Sequence, residues 1–151
     1  MHRSVLVALT LFVALSPAFA DRHGRDGFHW TIQPVDSHVR SYEFDISHGH
    51  WTATLMTGDS IVSDKGKMEE ADWKTFYQGL EKTNLWNLQS QAEGPPGKPR
   101  YHFLVMHRQD QHEAEFSGTT GDYTGLIQYL GGTIVGKEQS VLTQKLDAAR
   151  Q

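Results

Sequence analysis

Apolar residues recur in two different rhythms along this chain of 151 residues. Trp73, Phe76, Tyr77 and Leu80 fall at i, i+3, i+4 and i+7, the spacing that lines one face of a helix. Glu69, Glu70 and Asp72 sit at its start, where the positive end of the helix dipole favours carboxylates. Lys82 and Asn84 close the other end, and Leu85, Trp86 and Leu88 return apolar mass to the same side. The spacing predicts a helix over 68–88, the element against which a small sheet packs.

Either side of it the rhythm changes to two. Tyr42, Phe44 and Ile46 alternate with Glu43 and Asp45, as in a half-buried strand. Ser47-His48-Gly49-His50 has turn chemistry, Trp51, Ala53 and Leu55 resume the alternation, and Gly58-Asp59 turns the chain into a third short strand. After the helix, Gly94, Pro95, Pro96, Gly97 and Pro99 make an extended loop that no central strand tolerates. Residues 101–106 are almost all apolar, as expected of a strand covered on both faces. A turn leads back through 112–116, with Glu113 and Glu115 outward and Ala114 and Phe116 inward. Thr120 or Asp122 can cap a second helix whose buried stripe is Tyr123, Leu126, Ile127, Leu130 and Ile134. Gly131-Gly132 either weakens that helix, by about 1 kcal/mol per glycine, or ends it early. The expected class is α+β: an antiparallel sheet of about five strands (three-strand meander, helix, hairpin, helix) with helices on one face.

The ends of the chain read differently. Met1-His2-Arg3, the apolar run 4–15 and the small residues around Ala18 and Ala20 describe a secretory signal peptide over 1–20, cut after Ala20. Its apolar run is too short to span a bilayer comfortably, so no membrane insertion is expected after cleavage, and the product is placed in the periplasm or outside the cell. Residues 21–40 are polar and lack a period, which suggests a loose arm tethered by Trp30 and Ile32. Residues 41–136 form the single expected domain, and 137–151 a polar tail or frayed helix with a thin stripe of Val141, Leu142 and Leu146.

Composition narrows the function. The absence of cysteine excludes disulfides and a lipid-modified cysteine. Without the first twenty residues the formal charge moves from −4 to −5, because only Arg3 is lost. That mild acidity argues against nucleic acid as a partner, and no basic amphipathic helix points to a membrane surface.

Cleavage after Ala20 would leave Asp21-Arg22-His23 at the amino terminus. A free amine, two amides able to deprotonate and an imidazole at position three make a square-planar nitrogen cage suited to Cu(II) or Ni(II). Those three residues resemble the amino-terminal copper and nickel motif of albumin-type proteins. His48 and His50 flank a turn glycine and can share a face, while His102, His107 and His112 lie on the later hairpin with Glu113 and Glu115 nearby. None of these spacings is a zinc signature, and surface or turn histidines explain them more simply. Nucleophilic catalysis finds neither cysteine nor a G-x-S-x-G elbow, and the turn 117–122 lacks a phosphate loop's lysine. The expectation is therefore no enzyme. Trp86, with the rigid loop residues Gly94, Pro95, Pro96, Gly97 and Pro99, is the candidate surface for a protein partner.

The pattern W-x-x-F-x-x-x-L followed by L-W-x-L (Trp73, Phe76, Leu80, Leu85, Trp86, Leu88) resembles that of small exported bacterial proteins. The element order over 41–135 is similar to that of emfourin, a small protein inhibitor of thermolysin-like metalloproteases, although emfourin is not an exported protein of this composition. The resemblance implies a fold and carries no inhibitory residue across. The leading expectation is a non-enzymatic exported binding module requiring no cofactor, with inhibition of an exported protease as its sharpest form. The alternative is a Cu(II)- or Ni(II)-binding protein using Asp21, Arg22, His23, His48 and His50.

Overall fold

The computed structural model describes residues 26–33, 40–91, 97–117 and 121–151. Six strands form one sheet: β1 (Gly27–Gln33), β2 (Ser41–Ser47), β3 (His50–Met56), β4 (Ile61–Lys67), β5 (Arg100–His107) and β6 (Asp110–Ser117). Every neighbouring pair is antiparallel, in the order β4-β3-β2-β1-β5-β6. Three helices pack against it: α1 (Glu70–Glu81), α2 (Thr124–Gly131) and α3 (Ile134–Ala149). The architecture is α+β.

Alternation sets the inner face. The register aligns three ranks of side chains across it: Leu55, Tyr42, Ile32, Tyr101 and Phe116; Ala53, Phe44, Trp30, Phe103 and Ala114; Trp51, Ile46, Phe28, Val105 and His112. Most of them are fully buried, and α1 adds Trp73, Phe76, Tyr77 and Leu80, with Phe76 edge-on to Phe28 at 5.3 Å. The stripe read from the sequence is the stripe that packs.

Three boundaries differ from the sequence reading. Residues 27–33, assigned to a loose arm, are a central strand held between β2 and β5. Phe28, Trp30 and Ile32 point inward, while the alternate His29, Thr31 and Gln33 gave the segment its polar look. The sheet therefore has six strands rather than about five. At the other end, 137–151 is no frayed tail: α3 packs on β3 and β4 with Val135, Leu142 and Leu146 buried. Lys145 pairs with Asp64 at 2.7 Å, Arg150 with Asp59 at 3.0 Å, and Arg40 with Asp147. At Gly131-Gly132 the early end is the alternative found, since α2 stops at Gly131 and Thr133 caps α3 by accepting the Val135 N–H at 3.3 Å. A Cβ on Gly136 would lie 2.4 Å from the Gly131 carbonyl oxygen, so this corner admits only glycine. α1 also ends before 88, where Asn84 turns left-handed (φ 61°) and a 3-10 turn, Leu85–Asn87, follows.

Candidate functional site

At one end of the sheet, the β2–β3 turn, the residue before β1 and the approach to α1 meet. His48 and Gly49 both have positive φ (54° and 73°), the geometry of a tight hairpin turn that follows the twist of the strands. The Gly49 carbonyl accepts the Met68 N–H at 2.8 Å, which holds the start of α1 against that turn. Between them lies a cavity of about 280 Å³ lined by Asp26, Ile46, His48, Gly49, Met68, Glu70 and Trp73. That is just below the ~300–1,000 Å³ typical of sites for drug-sized ligands. It suits a single side chain.

Trp73 is the unusual member. It is only 8% exposed, packs on Phe76 and Tyr77, and its indole N–H is buried with no hydrogen-bond partner among the described residues. Leaving a donor unpaired in this way costs about 1–3 kcal/mol. Asp26 is held from the neighbouring hairpin: its Oδ1 lies 2.9 Å from His107 Nδ1 and accepts the Arg108 N–H at 3.1 Å. His107 in turn stacks on Tyr77, ring centres 3.9 Å apart. Glu70 stands exposed at the rim, in the first turn of α1. No described lining residue is lysine or arginine, so the cavity is acidic on one side and apolar on the other.

The opposite face of the sheet carries no helix among the described residues and holds a row of acid–imidazole pairs. His29 Nδ1 lies 3.6 Å from Asp45, and His102 Nε2 lies 2.6 Å from Glu113. The two imidazoles meet edge to face at 5.9 Å, and Arg100 binds Glu115 at 2.7 Å on the same face. These are cross-strand pairs. Among the described residues, no group of three or more His, Asp or Glu is placed to hold a metal ion.

A second, shallower hollow follows the α2–α3 corner, from Gly131 to Ser140. Gly131 to Lys137 has G-x-x-x-x-G-K spacing, which the sequence reading passed over. Here it joins helix to helix, where a phosphate loop joins strand to helix, and Gly136 is closed against Gly131. The spacing makes no cradle.

His48 lines the cavity, whereas His50 lies outside its lining with Nδ1 3.0 Å from the His48 carbonyl. Trp86 is anchored in the fold, donating its indole N–H to Tyr77 Oη at 3.2 Å and lying against His112. Gly97 is exposed with φ 80° and open space beside it, Lys98 is exposed, and Pro99 is half-buried. Gly94, Pro95 and Pro96 lie outside the described residues, as do Asp21, Arg22 and His23. Trp86 lies beside His112 of β6, and Pro99 precedes the first residue of β5. Residues 88–91 run along the outer edge of β6, from His112 donating to the Leu88 carbonyl at 2.8 Å to Gln91 donating to the Glu115 carbonyl at 2.8 Å.

Asp26 and Trp73 were missed as site residues because no spacing connects positions so far apart in the chain. Trp73 also satisfied a core stripe, and Glu70 a helix start. No protein-family model matches the chain, and no curated protein matches its sequence. Among the described residues, no helix is long and apolar enough to cross a membrane.

Proposed function

We propose that this chain is a non-enzymatic exported binding module that docks a protein partner at the sheet-end cavity. One observation carries the reading: the β2–β3 turn, Asp26 and the start of α1 enclose a cavity of about 280 Å³ that is acidic on one side and apolar on the other. The tight His48–Gly49 turn, hydrogen-bonded to Met68, frames one side of the site, so little ordering entropy opposes docking there. Inhibition of an exported protease is one form this docking can take.

The test is photo-crosslinking in intact cells from a reactive side chain placed at His48, with Lys98 in the 97–99 loop as the comparison position. The expected result is one stoichiometric exported partner captured from His48. If that partner is a protease, purified chain should inhibit it in a direct assay. Capture from Lys98 with none from His48 would move the contact to the Pro-rich loop and overturn the cavity assignment.

A further inference from the structure

We propose that the free edge of β4 is a second docking surface, which takes an extended acidic segment of a protein partner as a seventh strand. No residue of β4 lines the sheet-end cavity, so this surface does not depend on docking there.

The two edges of the sheet are finished differently. Along β6 the chain closes its own edge: Gln91 donates to the Glu115 carbonyl at 2.8 Å, Ser90 Oγ accepts the Glu115 N–H at 3.0 Å, and Gln91 Oε1 accepts the Ser117 N–H at 3.3 Å. β4 has no strand on its outer side among the described residues. The hairpin fixes which of its backbone groups point there. Thr57 N–H donates to the Ser60 carbonyl at 2.9 Å, Met68 N–H donates to the Gly49 carbonyl at 2.8 Å, and Ile61 lies opposite Met56. Bonded and non-bonded pairs alternate along an antiparallel ladder. Val62, Asp64 and Gly66 therefore bond to β3, while Ile61, Ser63, Lys65 and Lys67 turn their N–H and C=O groups outward. Asp64 Oδ1 accepts the Lys65 N–H at 2.9 Å, a local cap that an incoming carbonyl can replace while Lys145 keeps the carboxylate paired. Seven residues of such edge, with no proline, are a template for strand addition.

Side chains select the occupant. All four outward-bonding residues are exposed, and Ile61, at 70%, is the most exposed large apolar side chain among the described residues. Arg150 and Lys145 take up Asp59 and Asp64. Lys65 and Lys67 are left without an ion pair among the described residues, facing Thr52 and His50 across the ladder. On a chain of formal charge −4 this edge is a local excess of positive charge. A second copy fits it poorly. Self-pairing about Asp64 sets that carboxylate against itself, about Lys65 that ammonium against itself, and about Ser63 it sets Ile61 against Lys65. An antiparallel acidic strand instead meets Lys67 and Lys65 with carboxylates at its first and third residues, and Ile61 with an apolar seventh.

The test follows the β4 amide resonances of the whole processed chain as capped seven-residue peptides are added. The first peptide has glutamate at positions one and three, valine at seven and threonine elsewhere. The second carries lysine in place of both glutamates, and the third is the acidic peptide N-methylated at positions three and five, the amides that would face β4. The acidic peptide should shift the Ser63 and Lys65 amides saturably and slow their exchange, leaving those of Val62 and Asp64 in place. The lysine and N-methylated peptides should bind about tenfold more weakly. Lys65→Glu with Lys67→Glu, at two exposed positions, should reverse the order of the first two peptides. Equal binding of the acidic and lysine peptides would overturn the charge assignment, and undiminished binding of the N-methylated one would overturn strand addition. Silence of the β4 amides towards every peptide would remove the docking edge altogether, whatever is captured from His48.

Discussion

Gly79 shows how a single hydrogen can decide the fit of two helices. It lies in the last turn of α1, where alanine would ordinarily gain up to about 1 kcal/mol in helix propensity. A Cβ there would meet the Tyr129 ring at 2.1 Å, and that ring is fixed by its hydroxyl donating to the Phe76 carbonyl at 2.7 Å. Overpacking costs typically 1–3 kcal/mol, so Gly79→Ala should be net destabilising in urea unfolding, by about 1 kcal/mol. Tyr42 makes a second residue-scale case. Its hydroxyl donates to the Val135 carbonyl at 2.7 Å, and burial, aided by Glu138, pushes its pKa well above the ordinary tyrosine value. A pKa raised on folding means stability that is complete below the unfolded value near 10 and is lost as pH rises through the folded one. Tyr42→Phe should cost about 1 kcal/mol at pH 7 and flatten the loss of stability above about pH 10. The sequence marked both Trp73 and Tyr42 as inward-facing. It could not show that the Tyr42 hydroxyl finds a partner while, among the described residues, the Trp73 N–H does not, because such partners come from distant elements.

At the scale of elements, periodicity was a good guide wherever both the apolar and the polar positions were strong. α1 and the β5–β6 hairpin were legible for that reason. β1 was not, because Gly27, His29, Thr31 and Gln33 weaken the composition of a strand whose stability comes from pairing on both sides. α3 was obscured in the same way: its long polar face conceals a narrow stripe that reaches the core through Val135, Leu142 and Leu146. The two accounts of that segment make opposite predictions. In a frayed tail Leu142→Ala would be silent, whereas in the packed helix it should cost about 2–5 kcal/mol, readable as a lowered unfolding midpoint with m unchanged. The candidate cavity was the least legible part, since it exists only where three such elements meet.

Across the whole molecule, charge ties α3 to the far edge of the sheet. Lys145 holds the Asp64 carboxyl below its ordinary pKa, and Thr57 with Arg150 does the same for Asp59. Groups depressed in this way stabilise above the unfolded value near 3.9 and lose that contribution as pH falls through the folded value. Amide exchange in α3 should therefore quicken below about pH 4 before β1 and β5 respond. Added salt at pH 7 should change it little, because exposed pairs contribute modestly. Metal chemistry is separable from all of this. If the processed chain begins at Asp21, a stoichiometric Cu(II) titration should give a square-planar visible band that His23→Ala abolishes, with no effect on the melting temperature.

β1 lies between two halves of the sheet, with β2–β4 on one side and β5–β6 on the other. It is made before either, yet its second neighbour is completed only after most of the chain has been synthesised. A chain beginning at residue 40 would thus hold an empty slot one strand wide, flanked by the exposed edges of β2 and β5. The missing seven residues, Gly27–Gln33, supplied as a separate peptide, match that slot in register and in the alternation of their side chains. The protein is in this sense already divided into two complementing fragments, and the return of β1 in trans could report on its own assembly.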